Sequence, residues 1–167
     1  MLELTGYQSQ LLSELSATGL RYLVIGGKAM QAHGLPRDSW DLDLWTSREE
    51  DDVASLFTIL RGRCPDASDL SPAWLSSPGR LVPLADSSLE HQADVLTSVG
   101  DLVFDDSYAA RVSVEHESLA LSVADPATLI ATKLVSLAAN ADPERKLIEE
   151  QDILALQVLA SEQHASI

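Results

Sequence analysis

The order of hydrophobic patterns along the chain predicts an α/β (α+β) fold, a small mixed β-sheet with helices packed on it and two further helices at the C-terminal end. Three observations carry that prediction. Stretches with apolar residues at helical spacing alternate with short β-branched or aromatic runs. Gly26-Gly27 and a later stretch rich in Pro, Gly and Ser punctuate them. Two dipeptides, Asp125-Pro126 and Asp142-Pro143, each set a capping side chain before a proline suited to the first helical position. With 167 residues and 46% hydrophobic content, the chain can bury the core such a sheet needs. One domain, 1–167, is expected, its sheet within about 20–123 and its helical part within about 125–160.

The elements follow in order. From Gln8 to Thr18, Leu11, Leu12, Leu15 and Ala17 recur at helical spacing, and Gly19 supplies a C-terminal stop. Arg21 to Ile25 is a β-branched and aromatic run ending at Gly26-Gly27, as a buried strand does when it stops at a tight turn. Lys28 to His33 reads as a short helix closed by Gly34. Trp40 to Thr46 alternates Asp41 and Asp43 with Leu42 and Leu44, the period of a strand. Ser47, with Glu50 three residues on, predicts a capping box that opens a helix to about Leu60, striped by Val53, Leu56, Phe57 and Leu60. Gly62 to Ser88 reads mostly as connection, with short ordered pieces at Trp74-Leu75 and Arg80 to Leu84. Gln92 to Val99 predicts another strand, Arg111 to Val114 and Leu119 to Val123 a hairpin or two short strands, and the two Asp-Pro starts predict helices to about Asn140 and Ala160.

Charge narrows the function classes. Eleven Lys and Arg against 26 Asp and Glu leave a formal charge of −15, which opposes a broad grip on nucleic acid or anionic lipid. An anionic substrate must therefore meet a local positive patch or a metal. The single cysteine, Cys64, rules out an internal disulfide, offers no metal-ligand spacing and reads as an idle thiol. The opening MLELTGYQSQLLSEL lacks the basic start and apolar run of a signal peptide, and no stretch is long enough to span a bilayer. A soluble protein of the cytoplasm, with no membrane partner, is expected.

Residues two apart on a strand share a face, so Asp41 and Asp43 present carboxylates roughly 6 to 7 Å apart, close enough to hold divalent cations. Asp94, on a predicted strand between Ala93 and Val95, is the natural third acid, because a carboxylate there needs a compensating cation. Gly26 and Gly27 let backbone approach a phosphate closely, while Lys28 or Arg37 supplies positive charge. The competing reading is a solvated strand edge with ordinary surface acids, since Asp-x-Asp arises readily by chance in so acidic a chain. His33, ending the short helix, reads as structural before catalytic, and Trp40 and Trp45 as core packing before base stacking.

The run VIGGKAMQAHGLPRDSWDLDLW resembles the signature of the nucleotidyltransferase superfamily, in the branch of small stand-alone bacterial proteins related to AbiEii-type toxins of type IV toxin-antitoxin systems. ADVLTSV resembles its third-carboxylate strand, LSVADPATLIATKLVSLAAN its strand leading into a lysine-bearing helix, and DPERKLIEEQDILAL its closing helix. The resemblance implies that Gly26 and Gly27 contact a nucleoside triphosphate, that Asp41, Asp43 and Asp94 hold two magnesium (Mg2+) ions, and that Asp94 helps deprotonate an acceptor hydroxyl. It implies Lys133 near the phosphates and Arg145 and Asp152 on the helix that closes over the site. Lys133 also reads as snorkelling from the core edge, and Arg145 with Glu149 as a surface ion pair. Implied acceptors are an RNA end, a protein hydroxyl or a small molecule, and an implied partner is a cognate antitoxin. Lys28 departs from the pattern, which often carries serine or threonine after the two glycines. A catalytically idle binding or regulatory protein on the same fold is the alternative.

Overall fold

A computed structural model describes residues 1–165, with side chains through residue 162. Helix α1 (Gly6–Thr18) begins two residues earlier than its apolar spacing suggests, because Thr5 and Gln8 form a capping box. The Gln8 amide donates to Thr5 Oγ1 at 3.2 Å and the Thr5 amide to Gln8 Oε1 at 3.1 Å. Buried strand β1 (Tyr22–Ile25) runs directly into α2 (Gly26–Ala32), and a loop leads to β2 (Leu42–Thr46). Then come α3 (Glu50–Arg63), α4 (Pro72–Leu75), β3 (Leu81–Ala85), β4 (His91–Leu96) and α5 (Phe104–Ala109). The hairpin β5 (Val112–His116) and β6 (Leu119–Val123) precedes α6 (Pro126–Ala139) and α7 (Pro143–Ala165).

The strands form one mixed sheet in the order β3-β4-β2-β1-β6-β5. Strand β2 is antiparallel to β1 and parallel to β4, and β6 is parallel to β1. The outer strands β3 and β5 are antiparallel to their neighbours. Alternation in β2 puts Leu42 and Leu44 wholly out of solvent while Asp43 faces the other way. Burying each leucine contributes about 2 kcal/mol, so sliding the strand by one residue would turn Asp43 into the apolar core and its leucines out of it. Leu11, Leu12 and Leu15 of α1 and Leu56 and Leu60 of α3 complete the same core. Helices α6 and α7 pack on each other, and α6 also touches α2. Among the described residues, no helix is long and apolar enough to cross a membrane.

One local expectation is corrected, and one helix had no counterpart in the pattern. Ser47 does not cap α3: Glu49 takes that position without a side-chain cap, and Ser47 Oγ accepts instead from Arg21 Nη2 at 2.9 Å and the Glu49 amide at 3.1 Å. Arg21 draws the first turn toward β1 through Asp52 at 2.8 Å, and Glu50, Asp51 and Asp52 suit the positive end of the helix dipole. The short ordered pieces expected within 62–88 are present: Ser71 Oγ caps α4, with Pro72 at its first position, and β3 is an edge strand. Helix α5 escaped the pattern reading because six residues hold no apolar stripe; Phe104 anchors it edge-on to Trp45, with ring centroids 5.3 Å apart.

Candidate active site

Strands β2 and β4 lie side by side with Asp43 opposite Asp94, and Ile25 of β1 stands opposite Asp43 on the other flank. Asp41, two residues before Asp43, emerges on the same side. The three acids, far apart in sequence, thus line one cleft of about 580 Å³ together with Gly26 and Gly27. Both glycines are dictated by contact. Gly26 sits at φ 67°, and a Cβ there would run into the Asp43 carboxylate. A Cβ on Gly27 would come within 2.6 Å of Ser39 Cβ. The glycine pair is what lets β1 turn into α2 directly against the acids.

The electrostatics of this cluster are strained. Asp43 is largely buried, its carboxylate has no hydrogen-bond partner among the described residues, and its pKa is pushed up to about 7. Burial is the main cause, the charges of Asp41 and Asp94 add to it, and Lys133 opposes it. Asp94 is also raised, first by burial and then by Asp41, against the pull of His91. Carboxylates held this way ask for a cation or a proton between them. Hard oxygen donors of this kind are the ligands magnesium takes, so the donor set fits the ions the resemblance implies.

His91 is a neighbour that sequence reasoning missed. Its Nε2 lies 3.3 Å from Asp94 Oδ2, and one ligand atom from each of Asp41, His91 and Asp94 falls within 4.8 Å of the others. Strict alternation would send residues three apart to opposite faces. The pairing of β3 with β4 steps from Leu84–Ala93 to Ala85–His91, so Gln92 is an extra residue that resets the alternation. Gln8 Nε2 donates to the Gln92 carbonyl at 2.8 Å, Thr5 Oγ1 to Gln92 Oε1 at 2.7 Å, and Gln92 Nε2 to Asp86 Oδ2 at 3.1 Å. Nothing in the hydropathy of HQAD marks that bulge.

The cations divide. Lys28 is turned away from the cleft: its ammonium is buried and donates to the Glu3 carbonyl, and burial lowers its pKa. The expectation that Lys28 supplies charge to a phosphate is therefore corrected. Arg37 and Lys133 do line the cleft, yet both are engaged by buried Asp152 of α7, whose carboxylate is 3.1 Å from Arg37 Nε and 2.6 Å from Lys133 Nζ. Glu149 is 3.0 Å from Lys133 and accepts from Ser136 Oγ at 3.0 Å, so it does not form the expected surface pair with Arg145. Arg145 lines the cleft and makes no ion pair among the described residues. His33 Nε2 lies 2.8 Å from the Ala124 carbonyl, a structural contact. Trp45 is core, whereas Trp40 is 60% exposed and donates from Nε1 to the His91 carbonyl at 3.1 Å.

A glycine turn thus stands against paired acids on one strand, with a third acid on its parallel neighbour, in a mixed α/β fold similar to that of a nucleotidyltransferase-like protein. Among solved structures, the chain is similar to the crystal structure of an antigenic nucleotidyltransferase-like protein from Paracoccidioides brasiliensis. The TM-score is 0.57 at 17% identity, and the match covers 89% of this chain and 72% of that one. At that identity the likeness concerns the fold. No protein-family model and no curated protein matches the chain.

Proposed function

We propose that this protein is a divalent-metal-dependent nucleotidyltransferase, moving a nucleoside monophosphate from a nucleoside triphosphate to an acceptor hydroxyl with release of pyrophosphate. The observation that carries the reading is the convergence of Asp41, Asp43 and Asp94 beside Gly26-Gly27 in a cleft of nucleotide size. Asp41 and Asp43, with Asp94, would hold two magnesium ions, which when bound neutralise the polyphosphate. Gly26 and Gly27 leave room for the triphosphate beside those acids. Arg145 offers it a free guanidinium, and Lys133 and Arg37 border the same space. The acceptor oxygen attacks the α-phosphorus, the bond from that phosphorus to the β-phosphate oxygen breaks, and Asp94 takes the hydroxyl proton.

A small molecule or a protein hydroxyl suits this chain better than an RNA end. Arg21 is engaged by Asp52 and Asp105, Arg63 by Glu14, and Arg37 by Asp152, so these three arginines are neutralised locally rather than gathered into a patch. A toxin role with a cognate antitoxin follows from the resemblance and belongs to the same proposal. The test is incubation of the folded protein with each α-labelled nucleoside triphosphate, magnesium and a cell extract. Transfer of label to one class of molecule, lost in Asp41→Asn and Asp43→Asn, is expected; no transfer with any triphosphate refutes the enzyme. One observation favours a second reading, a catalytically idle binding protein: Asp152 withholds both Arg37 and Lys133 from a ligand. On that reading the Asp→Asn variants keep their partner in co-purification.

A further inference from the structure

We infer that His91 is a metal ligand, and that the position formed by Asp41, His91 and Asp94 selects manganese over magnesium. The inference rests on the metal-dependent reading above and concerns which ion one of its two positions takes. Ligands about 2.1 to 2.2 Å from a six-coordinate ion stand roughly 3 Å apart when adjacent and about 4.3 Å apart when opposite. The three candidate ligand atoms already lie within 4.8 Å of one another, with His91 Nε2 3.3 Å from Asp94 Oδ2, and the His91 side chain is 44% exposed.

The backbone that carries the ring is held by built structure. Ala85 pairs with His91 across the sheet, Trp40 Nε1 donates to its carbonyl, and the Gln92 bulge that turns it toward Asp94 is fixed by Gln8, Thr5 and Asp86. Three buried or half-buried hydrogen bonds thus fix the bulge that turns this exposed imidazole toward a carboxylate. Donor chemistry then decides the ion. Asp41 and Asp43 together offer only oxygen, which magnesium accepts. Asp41, His91 and Asp94 offer two oxygens and one nitrogen, and an imidazole nitrogen favours first-row transition ions over magnesium, with manganese keeping the octahedral geometry.

The test is calorimetric titration of the full chain with manganese chloride and with magnesium chloride, alongside pulsed electron paramagnetic resonance of the manganese-loaded protein. Expected is manganese binding at least tenfold tighter than magnesium, with coupling of the electron spin to an imidazole nitrogen. In His91→Ala and His91→Gln, manganese affinity falls about tenfold or more, magnesium affinity changes less than about threefold, and the nitrogen coupling vanishes. The coupling is read on the unaltered protein, so it stands even where a variant folds poorly. Absence of nitrogen coupling in that protein, or equal loss of both ions in the variants, overturns the role of His91 and leaves the enzyme standing. Failure of either ion to bind in a way that Asp41→Asn abolishes overturns this inference and the metal-dependent reading together.

Discussion

Asp43→Asn should make the metal-free protein more stable while abolishing the metal and nucleotide binding proposed for it. The folded protein holds the Asp43 pKa at about 7 against an ordinary 3.8, because burial and two neighbouring acids disfavour the charge. Between those values the folded state keeps a proton that the unfolded chain has released, so this group lowers stability progressively as pH rises from about 4 to about 7. The full shift is worth about 4 kcal/mol above pH 7, and residual water at the cleft brings the expected gain for the uncharged isostere to about 2 to 4 kcal/mol. At pH 5 the same arithmetic leaves less than about 2 kcal/mol. Urea unfolding in EDTA at pH 5 and pH 8 reads both numbers. Adding manganese or magnesium at pH 8 should stabilise the unaltered protein and not the variant, by the mass action of an ion that binds only the folded state. If Asp43→Asn is no more stable than the parent at pH 8 in EDTA, or if its pH slope is unchanged, the account of a strained acid cluster is wrong.

Other outcomes are set by neighbouring contacts. Gly26→Ala adds a Cβ against the Asp43 carboxylate at φ 67°, so a loss of about 2 to 3 kcal/mol in thermal unfolding is expected, with weaker metal binding; unaltered binding would show that the turn does not set the acid's position. Asp152→Ala leaves Lys133 and Arg37 without their shared buried partner, and chemical denaturation should show a loss of about 3 to 5 kcal/mol. Lys28→Met removes an ammonium turned away from the cleft, so label transfer in the triphosphate assay should stay within about threefold of the parent, and a near-complete loss would return Lys28 to the site.

What the sequence made legible was whatever depends on one strand at a time. Alternation in residues 41–44 was enough to put Asp41 and Asp43 on one face, and a strand around Asp94 was visible from its apolar flanks. The parallel pairing that brings Asp94 beside Asp43 was reached through the resemblance rather than through periodicity. The aim of His91 was illegible because a bulge is created by the partner strand and by Gln8 and Thr5, more than eighty residues away. Lys28 misled for a similar reason: its place after the glycines suggests a phosphate, while the chain preceding α1 supplies the carbonyl that takes its ammonium.

Those tertiary contacts also change the charge balance that composition alone suggested. Four acids and three cations border the cleft, and Asp152 stands directly behind two of the cations. Arg145 is therefore the sole lining cation without an ion-pair partner among the described residues. One free guanidinium cannot offset the roughly four negative charges of a nucleoside triphosphate added to an already negative pocket. Divalent ions between Asp41, Asp43 and Asp94 would reverse the local sign and relieve the strain on Asp43 in the same step. Nucleotide binding without added divalent ions should accordingly be at least a hundredfold weaker than with them, a difference that fluorescence titration with a labelled triphosphate in EDTA reads directly. Equal affinity in both conditions would mean that the cations of the cleft, released from Asp152, do the work assigned here to metal.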